Sequence, residues 1–590
     1  MRSMMRAAGI LTGLFLGLVV GAPSRGIGLS SRASTCNTPS NRACWSNGFD
    51  INTDYEQAIP VGTTRTINLE ITEHDNWLGP DGRTKPKAML INNQYPGPTI
   101  TADWGDTLVI NVKNSLKVNG TSIHWHGLRM LGSNIQDGVN GVTECPIAPG
   151  HTKTYTFRLT QYGTTWYHSH FSAQYANGVF GSIVINGPAS LPYDIDLGAY
   201  PINDYYLASA DEIVAQTMAS PAPPASDNVM FNGTNVNPVG TGGAYSKVTF
   251  TPGKRHRLRF INPSAEHNYQ VSIVGHQMTV ISTDLVPVNS FTTDNVFLGV
   301  GQRVDVTIDA SQAIGNYWMN VTMPTANLCG ASVNPFPAAI VHYTGASNTA
   351  LPTNKGTTPV NPGCRDSLNY VPVVSRSTSL STFSFNNQNT LDVTLTTPPT
   401  SPTVKWFVNS SSINVNWDKP VLDYVLTGNT SYPPSENIVS INSKNVWTFW
   451  VIENGSGVPH PMHLHGHDFL ILGASANNAG AFTTAQQSSL KVNNPTRRDV
   501  TMLPAAGWLV LAFKSDNPGA WLMHCHIAWH VSGGLAVDFL ERVSEQKAQI
   551  SAADAAAFNS NCATWQSYFD NSGVVKIDSG LKVRQIESPF

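Results

Sequence analysis

The sequence contains few charged residues and no excess of basic ones. Asp, Glu, Lys and Arg make up 12% of the 590 residues, and the formal net charge is -3. A protein that binds nucleic acid through its phosphates needs a basic surface, which this composition does not supply. We therefore predict that nucleic acid is not a partner.

Long apolar runs are missing beyond the N-terminus. The run Ile10–Val20 follows Arg2 and Arg6 and ends at Gly21-Ala22, as a signal peptide does before its cleavage site. It is too short to span a bilayer comfortably, and no later segment reaches the roughly 18 apolar residues of a spanning helix. We therefore predict a signal peptide over 1–22, a short propeptide over 23–32, and a secreted extracellular protein with no membrane partner.

Patterns typical of long helices are equally scarce. The chain has 48 glycines and 38 prolines, and both residues interrupt helices and favour turns. Alternating apolar and polar residues predict many short strands, and hence an all-β protein of sandwiches or Greek-key barrels. One helix is predicted near the end, where Ser551 and Asp554 form a capping pattern before Ala555–Phe558. The predicted strands are Thr66–Ile71, Thr107–Val112, Thr152–Leu159, Ser182–Ile185, His256–Ile261, Arg303–Ile308, Leu391–Leu395, Val446–Ile452 and Trp508–Phe513.

The length of 590 residues exceeds what one hydrophobic core supports, so about two to four domains are expected. A first boundary is predicted near residue 190, after Gly187-Pro188. A second is predicted around the stretch Leu351–Pro362, which is rich in Pro, Thr and Asn.

Seven cysteines are an odd number for a secreted chain, so one of them needs a role outside a disulfide. Cys525 is the candidate for that role, as a metal thiolate. Spacing alone does not resolve how the others pair: Cys36, Cys44, Cys145, Cys329, Cys364 and Cys562. Six Asn-x-Ser/Thr sequons fit the same compartment, although such triplets also arise by chance and we expect only some to carry glycan: Asn119, Asn232, Asn320, Asn409, Asn429 and Asn454.

The stretch from His524 to His530 concentrates metal ligands on a short piece of backbone. In an extended chain neighbouring side chains leave opposite faces, so the Cys525 thiolate points away from the imidazoles of His524 and His526. A thiolate with two imidazoles is the ligand set of a blue copper site, to which His530 would contribute one ring. His524 and His526 are then available to a second metal site, and the same strand connects the two sites.

Three further His-x-His pairs repeat this spacing, which places two rings on one face of a strand roughly 6 to 7 Å apart. One such pair arises easily by chance, but four pairs among 17 histidines favour a cluster of several metals. The middle third of the chain contains none, so we expect the cluster where the N-terminal and C-terminal domains meet. The pairs are His124 and His126, His168 and His170, His463 and His465, and His524 and His526.

These blocks resemble the four copper-binding motifs of the multicopper oxidases, in the same order and with the same wide separation. Other stretches resemble secreted laccases of filamentous ascomycetes, namely Cys36 with Cys44, Leu191–Asp194 and Asp578–Leu581. The resemblance covers nearly the whole mature chain. It implies three consecutive cupredoxin-like Greek-key β-barrel domains over 33–190, 191–365 and 366–581, the last with a C-terminal plug, and a processed tail over 582–590.

The resemblance also implies four copper ions and their ligands. The type 1 copper would be bound by His460, Cys525 and His530, and the type 2 copper by His124 and His463. One type 3 copper would be bound by His126, His168 and His526, and the other by His170, His465 and His524. His467 lies outside the ligand pattern. Leu535 matches the axial position, where it offers no lone pair, and an ordinary role in the core is compatible with this.

Several other roles follow from the same resemblance. Asp137 matches an acidic residue that assists proton delivery near the type 2 copper, although Asp-Gly is also an ordinary turn signal. Glu266 matches a carboxylate that accepts the proton of a phenol, with an exposed surface glutamate as the alternative. The implied pocket walls are Ala222, Pro223 and Trp406. The implied disulfides are Cys36–Cys44, Cys145–Cys562 and Cys329–Cys364.

The implied function is that of a laccase. A monomer would oxidise phenols and aromatic amines by one electron at the type 1 copper and reduce O2 to water, by four electrons, at the trinuclear cluster. Oxidases of Fe(II), ascorbate or bilirubin share the four motifs, and a copper-storage protein would share the ligands. Fe(II) oxidation calls for several acidic residues near His460 and His530, whereas the sequence nominates Glu266 alone. The natural donor and the biological task stay open.

Overall fold

The computed structural model describes residues 36–46, 48–323, 326–386, 388–576 and 582–584. The predicted signal peptide over 1–22, the propeptide over 23–32 and the tail motif Asp578–Leu581 lie outside the described residues, so these stay predictions. None of the helices in the described part is long and apolar enough to cross a membrane.

The first third of the described chain forms two four-stranded sheets and a small hairpin. The sheets have the strand orders β4-β3-β6-β8 and β5-β10-β9-β7, with the strands bounded as follows: β1 Cys44–Ser46, β2 Phe49–Asp50, β3 Thr64–Leu78, β4 Thr84–Ile91, β5 Gly97–Asp103, β6 Thr107–Ser115, β7 His124–His126, β8 Thr152–Arg158, β9 Gly163–His168 and β10 Phe180–Asn186.

The middle third forms a six-stranded and a five-stranded sheet. Their orders are β12-β11-β14-β19-β16-β17 and β13-β21-β20-β15-β18, with these bounds: β11 Ile195–Tyr205, β12 Asn228–Phe231, β13 Lys247–Phe250, β14 Arg255–Ile261, β15 Tyr269–Ile273, β16 Met278–Thr283, β17 Val286–Thr293, β18 Asn295–Leu298, β19 Arg303–Asp309, β20 Asn316–Thr322 and β21 Ala338–Tyr343.

The last third repeats that architecture. Its sheets have the orders β23-β22-β25-β30-β27-β28 and β24-β32-β31-β26-β29, and β33 pairs with β34. The bounds are β22 Thr390–Thr396, β23 Lys405–Val408, β24 Ile438–Ile441, β25 Trp447–Asn454, β26 His460–Leu464, β27 Phe469–Ala474, β28 Arg497–Arg498, β29 Val500–Leu503, β30 Trp508–Lys514, β31 Gly519–Cys525, β32 Ala536–Glu541, β33 Val574–Lys576 and β34 Lys582–Arg584.

Helices are short except for one. They are α1 Ala210–Ala219, α2 Ala326–Cys329, α3 Val421–Thr427, α4 Ala528–Ser532, α5 Val543–Gln549 and α6 Ala552–Ser572, with 3-10 turns at Asn134–Gln136, Gln174–Asn177, Leu380–Thr382, Pro434–Glu436 and Thr484–Ser489. The predicted helix after Ser551 is confirmed and continues much further, as α6, with the Ser551 side chain accepting the N–H of Asp554. Helix α1 was not predicted, although Ser209 and Glu212 form a complete capping box at its start.

One strand arrangement recurs in all three parts. In each, a strand runs parallel to a second, which in turn pairs antiparallel with a third: β3, β6 and β8, then β11, β14 and β19, then β22, β25 and β30. Alternation explains the faces, since Leu108, Ile110 and Val112 of β6 are buried while the residues between them are less so. The prediction of an all-β chain of three cupredoxin-like domains is confirmed. The predicted boundaries at 190 and 365 fall in the intervals 187–194 and 344–389 between these sheets, and they stay predictions.

The apolar core shows how the three parts are joined. One buried cluster contains residues of both the first and the last part, among them Trp125, Trp166, Met462 and Trp521. The middle part adds a few residues to this cluster, such as Val300, and has a second cluster of its own, built around strands such as β14 and β19. The first and last parts therefore share a continuous core, and the histidine pairs lie within that shared region.

Candidate metal centres

Cys525 ends strand β31 and faces two histidines. Its Sγ lies 3.5 Å from Nδ1 of His460 and 3.5 Å from Nδ1 of His530, and these two nitrogens are 3.1 Å apart. His460 begins β26, which pairs with β31, while His530 belongs to the short helix α4 that follows. One thiol and two imidazole nitrogens thus meet at a single point, as a three-ligand copper site requires.

The surroundings of this group are apolar and tightly connected. Leu535 is fully buried. Its backbone carbonyl accepts the N–H of Cys525, and its backbone N–H donates to the carbonyl of His530. The ring of Trp406 lies 4.8 Å from that of His460 and 4.4 Å from that of His530. Of the three candidate ligands, His530 alone is partly exposed. It is therefore the edge that an external electron donor can approach.

The four His-x-His pairs converge on a second point. The pairing of β7 with β9 sets His124 opposite His168, and the pairing of β26 with β31 sets His463 opposite His524. The two rings of each pair are 4.8 to 5.9 Å apart. Contacts between the first and last parts then bring all eight together, including His124 with His465, His126 with His463, His170 with His524 and His168 with His526. The eight rings therefore meet where the first and last parts join, at the place predicted for a metal cluster.

Each of five rings has one nitrogen tied to an oxygen of the protein. Backbone carbonyls lie 2.9 to 3.0 Å from Nδ1 of His124, His168, His463 and His524, and the Asp137 carboxylate lies 2.9 Å from Nδ1 of His465. A proton on Nδ1 leaves the lone pair on Nε2. Nε2 of His124, His168 and His463 is buried without a hydrogen-bond partner. Orphaned, converging lone pairs of this kind fit a set of bound metal ions.

Burial keeps these groups neutral. It is the main cause that lowers the pKa of every ring in the set for which a shift is resolved, to about 4 for His524 and to about 3 for His530. Burial also raises the pKa of the Cys525 thiol. The imidazoles are therefore ready to donate lone pairs, whereas a metal has to displace the thiol proton.

Asp499 is a residue of the site that the sequence did not suggest. Its Oδ1 lies 3.3 Å from Nε2 of His126 and 3.5 Å from Nδ1 of His463. Arg303 of the middle part donates two hydrogen bonds to the same carboxylate, at 2.7 and 2.6 Å. Asp284 in turn accepts the backbone N–H groups of Asp499 and Val500. No local motif marks these residues, because each lies far along the chain from its partners.

The middle part also contacts the rings directly. Gly301 has a φ of +86°, and a Cβ there would lie 3.0 Å from Cδ2 of His526 and 3.1 Å from Cε1 of His126. The left-handed backbone and the close approach both call for glycine. The middle part therefore forms part of the enclosure around the rings, although it supplies none of the paired histidines.

Glu266 lies beside helix α4, which carries His530. Its Oε2 accepts the Nε1–H of Trp529 at 3.3 Å and the hydroxyl of Tyr206 at 3.2 Å. The bond to Trp529 places the carboxyl against helix α4, which also carries the partly exposed His530. Burial, and then the charge of Asp204, raise the pKa of Glu266 to about 8. Of the predicted pocket walls, Ala222 is exposed, Pro223 is half-buried and Trp406 is buried.

Two cavities differ in their relation to the rings. A small one of about 50 Å³ reaches His170 and is lined by Asn140, Ser172 and Ser532 among apolar side chains, so it offers room for a few water molecules. A larger one of about 920 Å³ opens between the middle and last parts, beside Tyr370 and Asn477. The larger cavity contains none of the candidate ligands and is not the site of the chemistry.

Models of one family match each part of the chain. The multicopper oxidase models cover residues 71–190, 198–346 and 396–545. The chain belongs to the multicopper oxidase family. Copper is therefore the metal that the family implies for both centres. The predicted resemblance is confirmed.

Curated relatives of this multicopper oxidase are laccases of fungi. Laccase-1 of Melanocarpus albomyces is 57% identical over 94% of this chain and 91% of its own length. Laccase-2 of Podospora anserina is 54% identical over 99% of this chain and 98% of its own. The crystal structure of the laccase from Botrytis aclada is 40% identical, with a TM-score of 0.85 over 93% of this chain and 100% of that one.

The structure of this multicopper oxidase separates His467 from the ring cluster. His467 is buried, with Nε2 at 3.1 Å from the Glu541 carboxylate and its ring 4.9 Å from that of Phe513. It belongs to none of the groups of possible metal ligands found among the described residues. The disulfides Cys36–Cys44, Cys145–Cys562 and Cys329–Cys364 are present, and Cys525 is a free cysteine.

Proposed function

We propose that this multicopper oxidase is a laccase, which oxidises phenols and aromatic amines by one electron each and reduces O2 to water. The observation that carries the proposal is the position of Cys525 between two ligand groups. Its thiol faces His460 and His530, while the adjacent imidazoles of His524 and His526 belong to the ring cluster. A storage protein has no need for a thiolate wired in this way, and the laccase relatives agree with the oxidase.

The proposed copper complement is one type 1, one type 2 and two type 3 ions. His460, Cys525 and His530 would hold the type 1 ion, and His124 with His463 the type 2 ion. The type 3 ions would be held by His126, His168 and His526, and by His170, His465 and His524. Bound copper would supply the redox chemistry, taking single electrons from the donor and delivering four to O2.

The protein's own groups orient the ligands and exclude water. Carbonyl and carboxylate oxygens fix the Nδ1–H tautomer of five rings, which directs Nε2 towards the metal. Leu535, which is buried and hydrogen-bonded through its backbone to Cys525 and His530, would offer no lone pair to a copper held there, and this environment would disfavour Cu(II). Seven of the eight rings in the cluster are buried, and His170 is half-buried beside the small cavity.

Carboxyl groups would accept or deliver protons both at the donor site and at the cluster of imidazole rings. On the donor side, Glu266 in its ionised form would accept the proton that a phenol loses with its electron. At the ring cluster, Asp137 contacts His465 through Oδ2 and lies 3.2 Å from Nδ1 of His124 through Oδ1. Asp137 would pass protons towards the place where water forms.

Secretion as a monomer is part of the proposal. It is supported by three disulfides and by the exposed sequons at Asn232, Asn409 and Asn429. The sequons at Asn320 and Asn454 are buried, and both side-chain amides donate to backbone carbonyls. We expect glycan only at the exposed sequons, Asn232, Asn409 and Asn429. Removal of residues 1–22 and 23–32, and cleavage after Leu581, complete the proposed maturation.

A spectrum combined with an oxygen electrode tests the function. The copper-loaded protein is expected to show an intense blue band and O2 uptake that depends on an added phenol. The Cys525→Ser variant should lose the blue band while the paired histidines still bind copper, because the colour needs a thiolate. A blue wild-type protein without phenol-dependent uptake would contradict the proposal, and uptake driven by Fe(II) alone would favour a metallo-oxidase.

A further inference from the structure

Asp204 is a buried carboxylate that the proposed chemistry does not use. It lies near the end of β11 and is 6% exposed. Oδ1 accepts the backbone N–H of Ala265 at 2.8 Å, and Oδ2 accepts those of Glu266 at 2.8 Å and His267 at 3.2 Å. Three consecutive N–H groups thus share one side chain, which fixes the backbone on both sides of Glu266.

The other side of the same segment contacts the type 1 helix. The carbonyl of Ala265 accepts the N–H of Ala528, the first residue of α4, at 2.8 Å. The Glu266 carboxyl accepts the Nε1–H of Trp529 at 3.3 Å. Helix α4 also carries His530. Segment 264–267 therefore links the carboxylate of Asp204 to the ring at which the donor is expected to react.

Tyr175 adds a second link to this segment. Its hydroxyl lies 3.2 Å from the carbonyl of Ser264 and 3.1 Å from that of His526. On the opposite side, the backbone N–H of Asp204 donates to Oγ of Ser264 at 3.1 Å. Movement of the segment would thus disturb contacts on both the donor side and the side of the ring cluster.

The cost of burying the Asp204 carboxylate favours a specific role for this residue over that of an ordinary turn. A buried carboxylate is costly to desolvate, and three N–H donors offset much of that cost. Removing the acceptor would leave these buried N–H groups without partners, which would destabilise the segment. Asp204 also contributes, after burial, to the raised pKa of Glu266. The same carboxylate therefore acts on both the position and the ionisation of Glu266.

We propose that Asp204 is a positioning residue of the donor site, which holds segment 264–267 so that the Glu266 carboxyl stays in register with helix α4 and His530. The inference rests on the proposed function. Its effect falls on donors that must lose a proton, because a non-protic donor needs access to His530 but not the carboxyl. Asp204 is a positioning residue because it contacts neither donor nor metal ligand.

The test compares Asp204→Asn with wild-type holoenzyme on 2,6-dimethoxyphenol and on ferrocyanide. The amide keeps the shape but lacks the charge and part of the acceptor capacity. The KM for the phenol is expected to rise about tenfold, with the KM for ferrocyanide and the blue band unchanged. The rising limb of the pH profile for the phenol should move to lower pH, because Glu266 ionises more readily without the neighbouring charge.

Asp227→Asn is the matched control. Asp227 accepts the backbone N–H of Leu207 at 2.8 Å in the adjacent loop, and its other carboxylate oxygen lies 3.7 Å from the guanidinium of Arg83. It should leave the ratio of the two KM values unchanged. Anaerobic titration of the phenol into fully reduced enzyme adds a readout that does not depend on turnover, and weaker binding to Asp204→Asn is expected there.

A double variant decides whether Asp204 acts through Glu266. Glu266→Gln with Asp204→Asn should lose no more phenol selectivity than Glu266→Gln alone. Equal losses on both donors, additive losses in the double variant, or an unmoved pH limb would each overturn the inference. If Asp204→Asn does not fold, Ser264→Ala replaces it. The KM for the phenol should then rise by a smaller factor, with the KM for ferrocyanide unchanged. Equal losses of activity on the two donors would overturn the proposal. Failure of wild-type enzyme to oxidise the phenol would instead contradict the proposed function.

Discussion

At the scale of single residues, Asp538 is a carboxyl without a hydrogen-bond partner. It is fully buried on β32, and neither oxygen has a partner. It shares a strand face with Ala536 and Leu540, which belong to an apolar cluster. Burial is the main cause that raises the pKa of Asp538, and the nearby carboxyls of Glu436 and Asp137 add to it. The folded protein therefore holds this group protonated under conditions in which an unfolded chain ionises it.

This difference predicts how stability changes with pH. The contribution of Asp538 is fully present below the unfolded pKa, near 4, and is lost as the pH rises towards the folded pKa, by up to about 1.4 kcal/mol per pH unit. Asp538→Asn stays neutral throughout. We expect its melting temperature to fall less than that of wild type between pH 4 and pH 7, at equal copper loading.

The control replaces an exposed carboxylate of β19. Asp309 pairs with Arg255, and its side chain is 60% exposed, so Asp309→Asn should follow the wild-type pH dependence. An Asp538→Asn variant with the same pH dependence as wild type would show that this carboxyl is not protonated in the folded state. Glu436 will keep part of the effect in every variant, because burial raises its pKa to about 7.

At the scale of elements, α6 buries few of its residues. Of its 21 residues, Phe558 and Trp565 are buried, and Trp565 packs with Phe171 and Trp417 in a small cluster. The disulfide between Cys145 and Cys562 joins the helix to the first part across 417 residues. Since the apolar contact is small, the disulfide should account for much of the attachment.

We expect Cys145→Ser with Cys562→Ser to destabilise the attachment of α6 by about 2 to 5 kcal/mol. Limited proteolysis within 551–572 should become faster, and the melting temperature should fall. The matched control is Cys36→Ser with Cys44→Ser, whose disulfide closes a separation of 8 residues and should contribute less. Equal effects of the two double variants would argue against this account.

Elements also show what the sequence could predict. Strands such as β6 and β14 follow from alternation, and the candidate copper ligands follow from His-x-His spacing, because both signals are local. Helix α1 had a local signal in Ser209 and Glu212 that was overlooked. Asp499, Arg303 and Asp204 had none, because the contacts that matter are long-range: Arg303 and Asp499 are 196 residues apart in the chain, and Asp204 and Ala265 are 61 apart. The first contact forms once the middle and last parts dock, and the second forms once the middle part itself folds.

At the scale of the whole molecule, the candidate ligands are distributed unevenly. The eight rings come from the first and last parts, which supply most of one apolar core, whereas the middle part adds fewer residues to that core and has a second core of its own. The middle part contacts the cluster of eight imidazole rings through Gly301 and through the hydrogen bonds of Arg303 to Asp499. Metal binding should therefore stabilise the junction of the outer parts more than the interior of the middle sheets.

Copper removal tests this distribution. A ligand that binds only the folded state stabilises it by about 4 kcal/mol at a concentration 1,000 times its Kd, and eight neutral rings packed without metal lose that contribution. In the copper-free protein, hydrogen exchange should accelerate in β7, β9, β26 and β31, while β14 and β19 keep their protection. Restoring copper should reverse the change.

The Cys525→Ser variant serves as the control, because it retains the paired histidines and should keep most of the protection in β7 and β9. A uniform loss across all three parts would mean that the metal stabilises the molecule as one unit, and unchanged exchange would mean that the shared core alone holds the outer parts together.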